Sequence, residues 1–209
     1  MKKLIFILLI ISLSLLGLVG CKEEPIKKPE DTEIENNSGN ESNFKGTHQV
    51  EIEVKNYGTI YMELDAESAP ITVSNFIKLA EDGFYDGLTY HRIISGFMIQ
   101  GGDPLGNGTG GSEETITGEF ASNGVNNKLS HTRGAISMAR STDYNSARSQ
   151  FFIVHEDSTF LDGDYAAFGY VTKGMDIVDK ICADTPVQDG NGTVLPKNQP
   201  IIESIKVIK

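Results

Sequence analysis

The chain has 209 residues, 39% of them hydrophobic, which suffices for one well-packed core plus extensions. Acidic residues outnumber basic ones, 29 to 18, for a formal charge of −11. That balance argues against a nucleic-acid partner, which calls for a basic footprint.

The first segment, MKKLIFILLIISLSLLGLVGC, has two lysines, an uncharged apolar run from Leu4 to Gly20, and then Cys21. A charged start, apolar middle and small-residue end describe a secretory signal over residues 1–20. Leu18-Val19-Gly20-Cys21 resembles the bacterial lipobox, whose cysteine is diacylated and becomes the new N-terminus. The other reading is an uncleaved anchor, since the run is slightly shorter than a spanning helix. Both readings place the rest of the chain outside the cytoplasm. Two acyl chains on Cys21 suffice for stable membrane attachment. Cleavage would remove Lys2 and Lys3 from the 18 basic residues, leaving −13 against 29 acidic ones. Such a surface offers anionic lipid no polybasic attraction. With Cys21 lipidated, Cys182 has no internal disulfide partner and is expected to pack as a small hydrophobe.

From Lys22 to Gly46 the chain is mostly Lys, Glu, Pro, Asn, Ser and Gly. Such a stretch buries too little surface to offset its ordering entropy, so 21–46 reads as the lipidated cysteine and a flexible linker. The folded domain is expected over 47–209. QVEIEVKNYGTIYMEL alternates: Val50, Ile52 and Val54 face one way, Glu51, Glu53 and Lys55 the other. Asn56-Tyr57-Gly58 turns the chain into a second strand carrying Ile60, Met62 and Leu64, which predicts an antiparallel hairpin. In SAPITVSNFIKLAEDGF, Val73, Phe76, Ile77 and Ala80 fall at helical spacing, with Pro70 at the start and Gly83 at the stop. Further strands are expected at 89–94, 97–100, 134–139, 150–155, 166–171 and 201–208, and a second helix over 174–181. Many short strands with two helices point to a β-barrel or sandwich rather than a parallel α/β sheet.

Three chemical signals lead nowhere. GNGTGG at 106–111 matches a dinucleotide fingerprint in letters only, because Asp103-Pro104 precedes it instead of a strand and no helix pattern follows. It reads as a loop whose glycines take positive φ. His48, His91, His131 and His155 lack metal-ligand spacing and read as structural, so no metal or cofactor is expected. The serine-hydrolase elbow G-x-S-x-G is absent, which leaves Ser95 and Ser149 as ordinary turn or strand residues.

What remains is YHRIISGFMIQGGD, residues 90–103, an apolar run that carries Arg92 and Gln100 with no carboxylate to pair the charge. Burying a lone charge is costly, so either Arg92 is a solvated surface residue or these two polar groups are wanted beside an apolar pocket. Two short strands flanking Ser95-Gly96 put Met98 and Gln100 on one face and let Arg92 join them across the turn, with Phe97 at the corner. Downstream, SQFFIV places Gln150 and Phe152 on one face, and TFLDG offers Phe160 and Leu161.

YHRIISGFMIQGGD, NGTGG, GAISMAR, SQFFIV and FLDGDYAAFG occur in this order and together resemble the cyclophilin family of peptidyl-prolyl cis–trans isomerases. The resemblance runs from about Glu51 to the C-terminus. It implies a mainly β fold, a closed eight-stranded antiparallel barrel capped by two α-helices. It implies catalytic roles for Arg92 and Gln100, and a peptide site formed by Phe97, Met98, Gly108, Ala139, Arg140, Gln150, Phe152, Phe160, Leu161 and Tyr165. Phe160 stands where the best-known eukaryotic members carry tryptophan, and Tyr165 where they carry histidine. The partners implied are proline-containing polypeptides, acted on by a monomer without cofactor. Rotation about an Xaa-Pro bond breaks no covalent bond and needs neither nucleophile nor metal. A fixed guanidinium near the prolyl nitrogen would favour the twisted state. The expected function is isomerisation that assists the folding of exported proteins. The alternative is a peptide-binding holdase with incidental isomerase activity.

Overall fold

The structure is a computed structural model that describes residues 44–208. The expected signal at 1–20, the lipidation at Cys21 and the linker up to residue 43 lie outside the described residues. Residues 44–46, also assigned to the linker, are tied to the domain. Phe44 N–H donates to Ser74 Oγ and Gly46 N–H to Glu67 Oε1, at 2.8 and 2.9 Å.

The alternating N-terminal pattern forms an antiparallel hairpin of β1 (Thr47–Val54) and β2 (Gly58–Asp65). Val50, Ile52, Val54, Ile60, Met62 and Leu64 are all buried, as a period-2 strand with one core face requires. The connecting turn needs left-handed backbone at Asn56 (φ 64°), the side chain best able to tolerate it after glycine.

Helix α1 (Pro70–Glu81) buries Val73, Phe76, Ile77 and Ala80. Residue Ala69, just ahead of it, offers no side-chain cap. Glu119, 2% exposed and distant in sequence, supplies one instead. Its carboxylate accepts from Ile71 N–H (3.0 Å), Thr72 N–H (2.7 Å) and Thr72 Oγ1–H (2.7 Å). A carboxylate there satisfies free N–H groups and meets the positive end of the helix dipole.

The remaining strands are β3 (Tyr90–Ile94), β4 (Met98–Gly101), β5 (Ala135–Met138), β6 (Phe151–Val154), β7 (Ala167–Lys173) and β8 (Ile202–Ile208). Helix α2 (Met175–Asp184) lies between the last two. All eight strands of the described residues join one antiparallel sheet in the order β3-β4-β6-β5-β7-β2-β1-β8. The sheet curls, but it does not close as the resemblance implied. Its end strands meet only at a Thr89–Ile201 bridge and a few neighbouring hydrogen bonds. The free edge of β3 is already taken by the 192–194 segment. Ile93 N–H donates to Gly192 O and Val194 N–H to His91 O, at 2.8 and 3.0 Å.

The two faces of this curled sheet do different work. Ile93, Ile99, Ile136, Phe151 and Ile153 point into the main core with α1 and α2. Phe76 sits at its centre, with ring centroids 5.1–5.4 Å from Tyr85, Phe151 and Phe168. Met98, Ala135, Phe152, Val154 and Leu161 form a second, smaller cluster. That cluster floors the site described next.

Candidate active site

The register of β3 against β4 sets Arg92 opposite Gln100, and that of β4 against β6 sets Gln100 opposite Phe152. Directly paired residues share a face, so a cation, an amide and an aromatic ring fall side by side. They border a cavity of about 580 Å³ whose wall also includes Phe97, Met98, Ala139, Arg140, Leu161 and Tyr165.

Arg92 is half-buried and held on two sides. Its Nε–H donates to the Asn191 carbonyl at 2.9 Å, and Nη1–H to Gln100 Oε1 at 3.2 Å. The contact to Gln100 fixes that amide's orientation, so Gln100 Nε2–H donates onward to Gln150 Oε1 at 2.9 Å. Gln150 Nε2–H then donates to the Gly108 and Gly110 carbonyls at 3.1 and 2.8 Å. The chain from guanidinium to loop backbone is continuous. Among the described residues Arg92 pairs with no carboxylate, so its positive charge faces the cavity uncompensated. The charge in the apolar run is thus on a cavity wall and not in the core.

The glycine-rich loop owes its shape to Asp103, which is 1% exposed. Its carboxylate accepts from the N–H groups of Leu105 (2.8 Å), Asn107 (3.0 Å) and Gly108. Burial alone would raise this carboxyl, yet the ring of N–H donors holds it below the usual range. Gly110 must be glycine, because a Cβ there would lie 2.1 Å from Asp103 Oδ1. The positive φ expected of this loop occurs at Gly106 and Gly108.

Most of the residues singled out from the sequence come together here, but two do not line the main cavity. Gln150 lines a second, adjoining hollow. Phe160 is 72% exposed and packs its ring on Phe97 at 5.6 Å, so it stands at the rim. Sequence reasoning missed a whole wall, to which Gln188, Asn191, Thr193, Val194 and Pro196 contribute. Its one sequence signal is the turn-like Asp189-Gly190-Asn191-Gly192. There Asp189 Oδ1 accepts from Asn191 N–H and Thr193 N–H at 2.9 and 3.2 Å. Nothing in that turn tells which strand it will meet.

The histidines divide. His91, read from the sequence as structural, lines the cavity, and among the described residues neither of its ring nitrogens has a partner. Burial lowers its pKa, helped by Arg92 and opposed by Asp103, so the ring is neutral. His131 is fully buried and satisfied, Nδ1 with Asp162 at 2.8 Å and Nε2 with Ser137 at 2.9 Å. Its ring stacks on Phe152 with centroids 6.0 Å apart, which braces the cavity floor from behind. Half-buried Cys182 packs against the main core, and burial pushes its thiol up to about 11, the behaviour of an unreactive side chain. No group of three or more His, Cys, Asp or Glu among the described residues is arranged to hold a metal.

The His131–Asp162 pair predicts an acid sensitivity. Burial drives the His131 pKa below 6.5 despite the pull of Asp162. Burial would raise Asp162, but Ser130 Oγ–H, His131 N–H and the His131 ring together hold it below the usual carboxylate range. Both folded-state values are depressed. The His131 contribution is therefore complete above about pH 6.5 and is lost as pH falls toward the folded value. That of Asp162 is complete above about pH 4 and disappears lower still. The urea midpoint should hold steady from pH 8 to 7 and decline below about 6.5. In His131→Gln the His131 share of this decline should vanish, while that of His91, whose pKa burial also lowers, remains. An unchanged decline in that variant would assign it elsewhere.

Comparison with known proteins gives one consistent result. The family model for cyclophilin type peptidyl-prolyl cis-trans isomerase/CLD matches residues 49–207. Peptidyl-prolyl cis-trans isomerase A of Dickeya dadantii is 40% identical over 157 residues, covering 73% of this chain and 80% of that relative. Peptidyl-prolyl cis-trans isomerase B of Bacillus subtilis is 50% identical over 117 residues, or 56% of this chain and 78% of its own length. A Cryptosporidium parvum cyclophilin type isomerase, solved in the presence of the dipeptide Ala-Pro, superposes with a TM-score of 0.68 and 31% identity. It covers 77% of this chain and 99% of that one.

Proposed function

The chain belongs to the cyclophilin-type peptidyl-prolyl cis–trans isomerases, and from that premise we propose how its cavity promotes rotation and where in the cell it works. The reaction turns the amide bond before a proline, against a barrier of roughly 20 kcal/mol set by amide resonance. In the twisted state the prolyl nitrogen regains a localised lone pair. Arg92 stabilises that lone pair as a preorganised cation, and Gln100 holds Arg92 in place. Phe97, Met98, Phe152 and Leu161 grip the proline ring, while Ala139, Gln150 and Gly108 border the flanking peptide. Phe160 closes over the rim, with Arg140 and Tyr165 at the far edge.

One observation carries this reading. An unpaired guanidinium, held by Asn191 and Gln100, shares a cavity with four large apolar side chains. Binding alone would not require Arg92 and Gln100 together there. Purified 44–208 mixed with an Xaa-Pro peptide should produce cis–trans exchange cross-peaks in NMR at catalytic amounts. Peptide binding without such exchange would support the holdase reading and overturn this one.

The place of action is proposed on the sequence alone. The lysine-led apolar run and Leu18-Val19-Gly20-Cys21 support export, lipidation at Cys21 and tethering to a membrane, where the protein acts on exported proteins as they fold. Cys21→Ser should shift the protein to the soluble fraction or leave it unprocessed. Continued lipid labelling of that variant would contradict the anchor.

A further inference from the structure

Next to the proline cavity lies a second one of about 420 Å³, which shares Gln100, Gly108, Ala139 and Arg140 with it. Its wall adds a second arginine, Arg148, and the hydroxyl residues Thr109, Thr115, Ser141 and Ser146. Among the described residues no Asp or Glu lines it. On a chain of formal charge −11, this is a local reversal of sign.

Both cations are fixed, and neither is neutralised. Arg140 lies over the rings of Phe120, Tyr144 and Tyr165, at 5.1, 5.1 and 4.6 Å from their centroids. Its Nε–H and Nη1–H donate to the carbonyls of Asp164 and Ser141, both at 2.9 Å. Arg148 donates from Nη2 to the Glu113 carbonyl at 2.7 Å, and its own carbonyl is held by Asn75 Nδ2–H at 2.7 Å. Its stem packs over Gly111, where a Cβ would sit 3.0 Å from Arg148 Cδ. Its Nε–H is buried without an acceptor among the described residues. Among the described residues neither arginine has an ion-pair partner. Carbonyl oxygens and ring faces orient a guanidinium but leave its full charge in place.

Resting on the isomerase reading, we propose that this second cavity selects substrates with an acidic side chain close to the proline, recognised by Arg140 and Arg148. An extended peptide advances about 3.3 Å per residue, and the two cavities share a wall. The side chain that enters therefore lies within two residues of the proline. A carboxylate completes the charge that this wall lacks. A neutral amide of the same shape does not.

The test uses peptides with one proline in which Glu or Gln occupies, in turn, each of the two positions before and after it. At one of these positions the Glu peptide should have a kcat/KM roughly two- to fivefold higher than its Gln twin, mainly through KM. Arg148→Gln should bring that ratio close to one, while Arg148→Lys, which keeps the charge, should retain much of it. On the unaltered chain, raising ionic strength from about 20 mM to about 500 mM should collapse the ratio by screening. This salt arm decides the matter even if the Arg148 variants fold poorly. Equal turnover of Glu and Gln peptides at all four positions would overturn the inference, as would a preference indifferent to both salt and Arg148→Gln. Failure to turn over any Gln peptide would instead strike at the isomerase mechanism, so the two failures are distinguishable.

Discussion

Replacing Arg92 with alanine should lower kcat/KM for Xaa-Pro isomerisation by about 10²–10³ while the fold is kept. The size follows from what the side chain can do. A single preorganised donor aimed at developing charge in a water-poor site commonly removes about 3–4 kcal/mol from a barrier. Arg92 meets those conditions: it is half-buried, anchored through Nε on the Asn191 carbonyl and through Nη1 on Gln100, and free of any carboxylate among the described residues. Because Arg92 also tethers the 188–196 wall, Arg92→Lys is the informative companion. Lysine restores a charge but cannot reach both acceptors with one planar fork, so it should recover only part of the rate. Circular dichroism and the urea midpoint would establish that each variant is folded. Activity of Arg92→Ala within twofold of the parent would remove this side chain from the mechanism.

A large effect on stability should come from Glu119→Ala, at about 3 kcal/mol. Three donors at the start of α1 converge on one buried carboxylate, and alanine leaves all three without an acceptor. Hydrogen bonds to a charged group contribute about 1.5–3 kcal/mol, and the helix dipole adds to them. The contributions overlap, since Thr72 can recover a partner by local movement. For a domain of this size the midpoint of thermal unfolding should fall by roughly 6–12 °C. Glu119→Gln keeps one acceptor oxygen and should cost about half as much. A calorimetric midpoint within about 2 °C of the parent for Glu119→Ala would show that α1 is held by its apolar face alone.

Glu119 also marks the limit of sequence reasoning. The local rule looks for a capping side chain just before the helix, and at Ala69 there is none. The cap that exists comes from 47 residues away, through a contact with no local periodicity. The curled sheet repeats the lesson. Its first two strands were legible from alternation, but the seam between β3 and β8 was not. The 192–194 segment fills that edge by backbone hydrogen bonds, to which any sequence could contribute. The same segment builds the unforeseen wall around Asn191. Phe160 adds a finer point: its neighbour Leu161 lines the cavity, and a turn of 3-10 helix over Thr159–Leu161 sends Leu161 inward and Phe160 out to the rim.

By itself the sequence determined the strand and helix pattern, the family, and the grouping of Arg92, Met98, Gln100 and Phe152. Side-chain direction in a strand alternates with a period of two, so spacing alone decides which residues share a face. Only the tertiary structure decided that Gln100 passes orientation from Arg92 to Gln150, that Asp103 shapes the glycine loop, and that Arg140 and Arg148 meet around one hollow. Those arrangements depend on distances between segments far apart in the chain. Such distances are set by how the sheet curls and which loop fills its open edge, and no local pattern of residues encodes them.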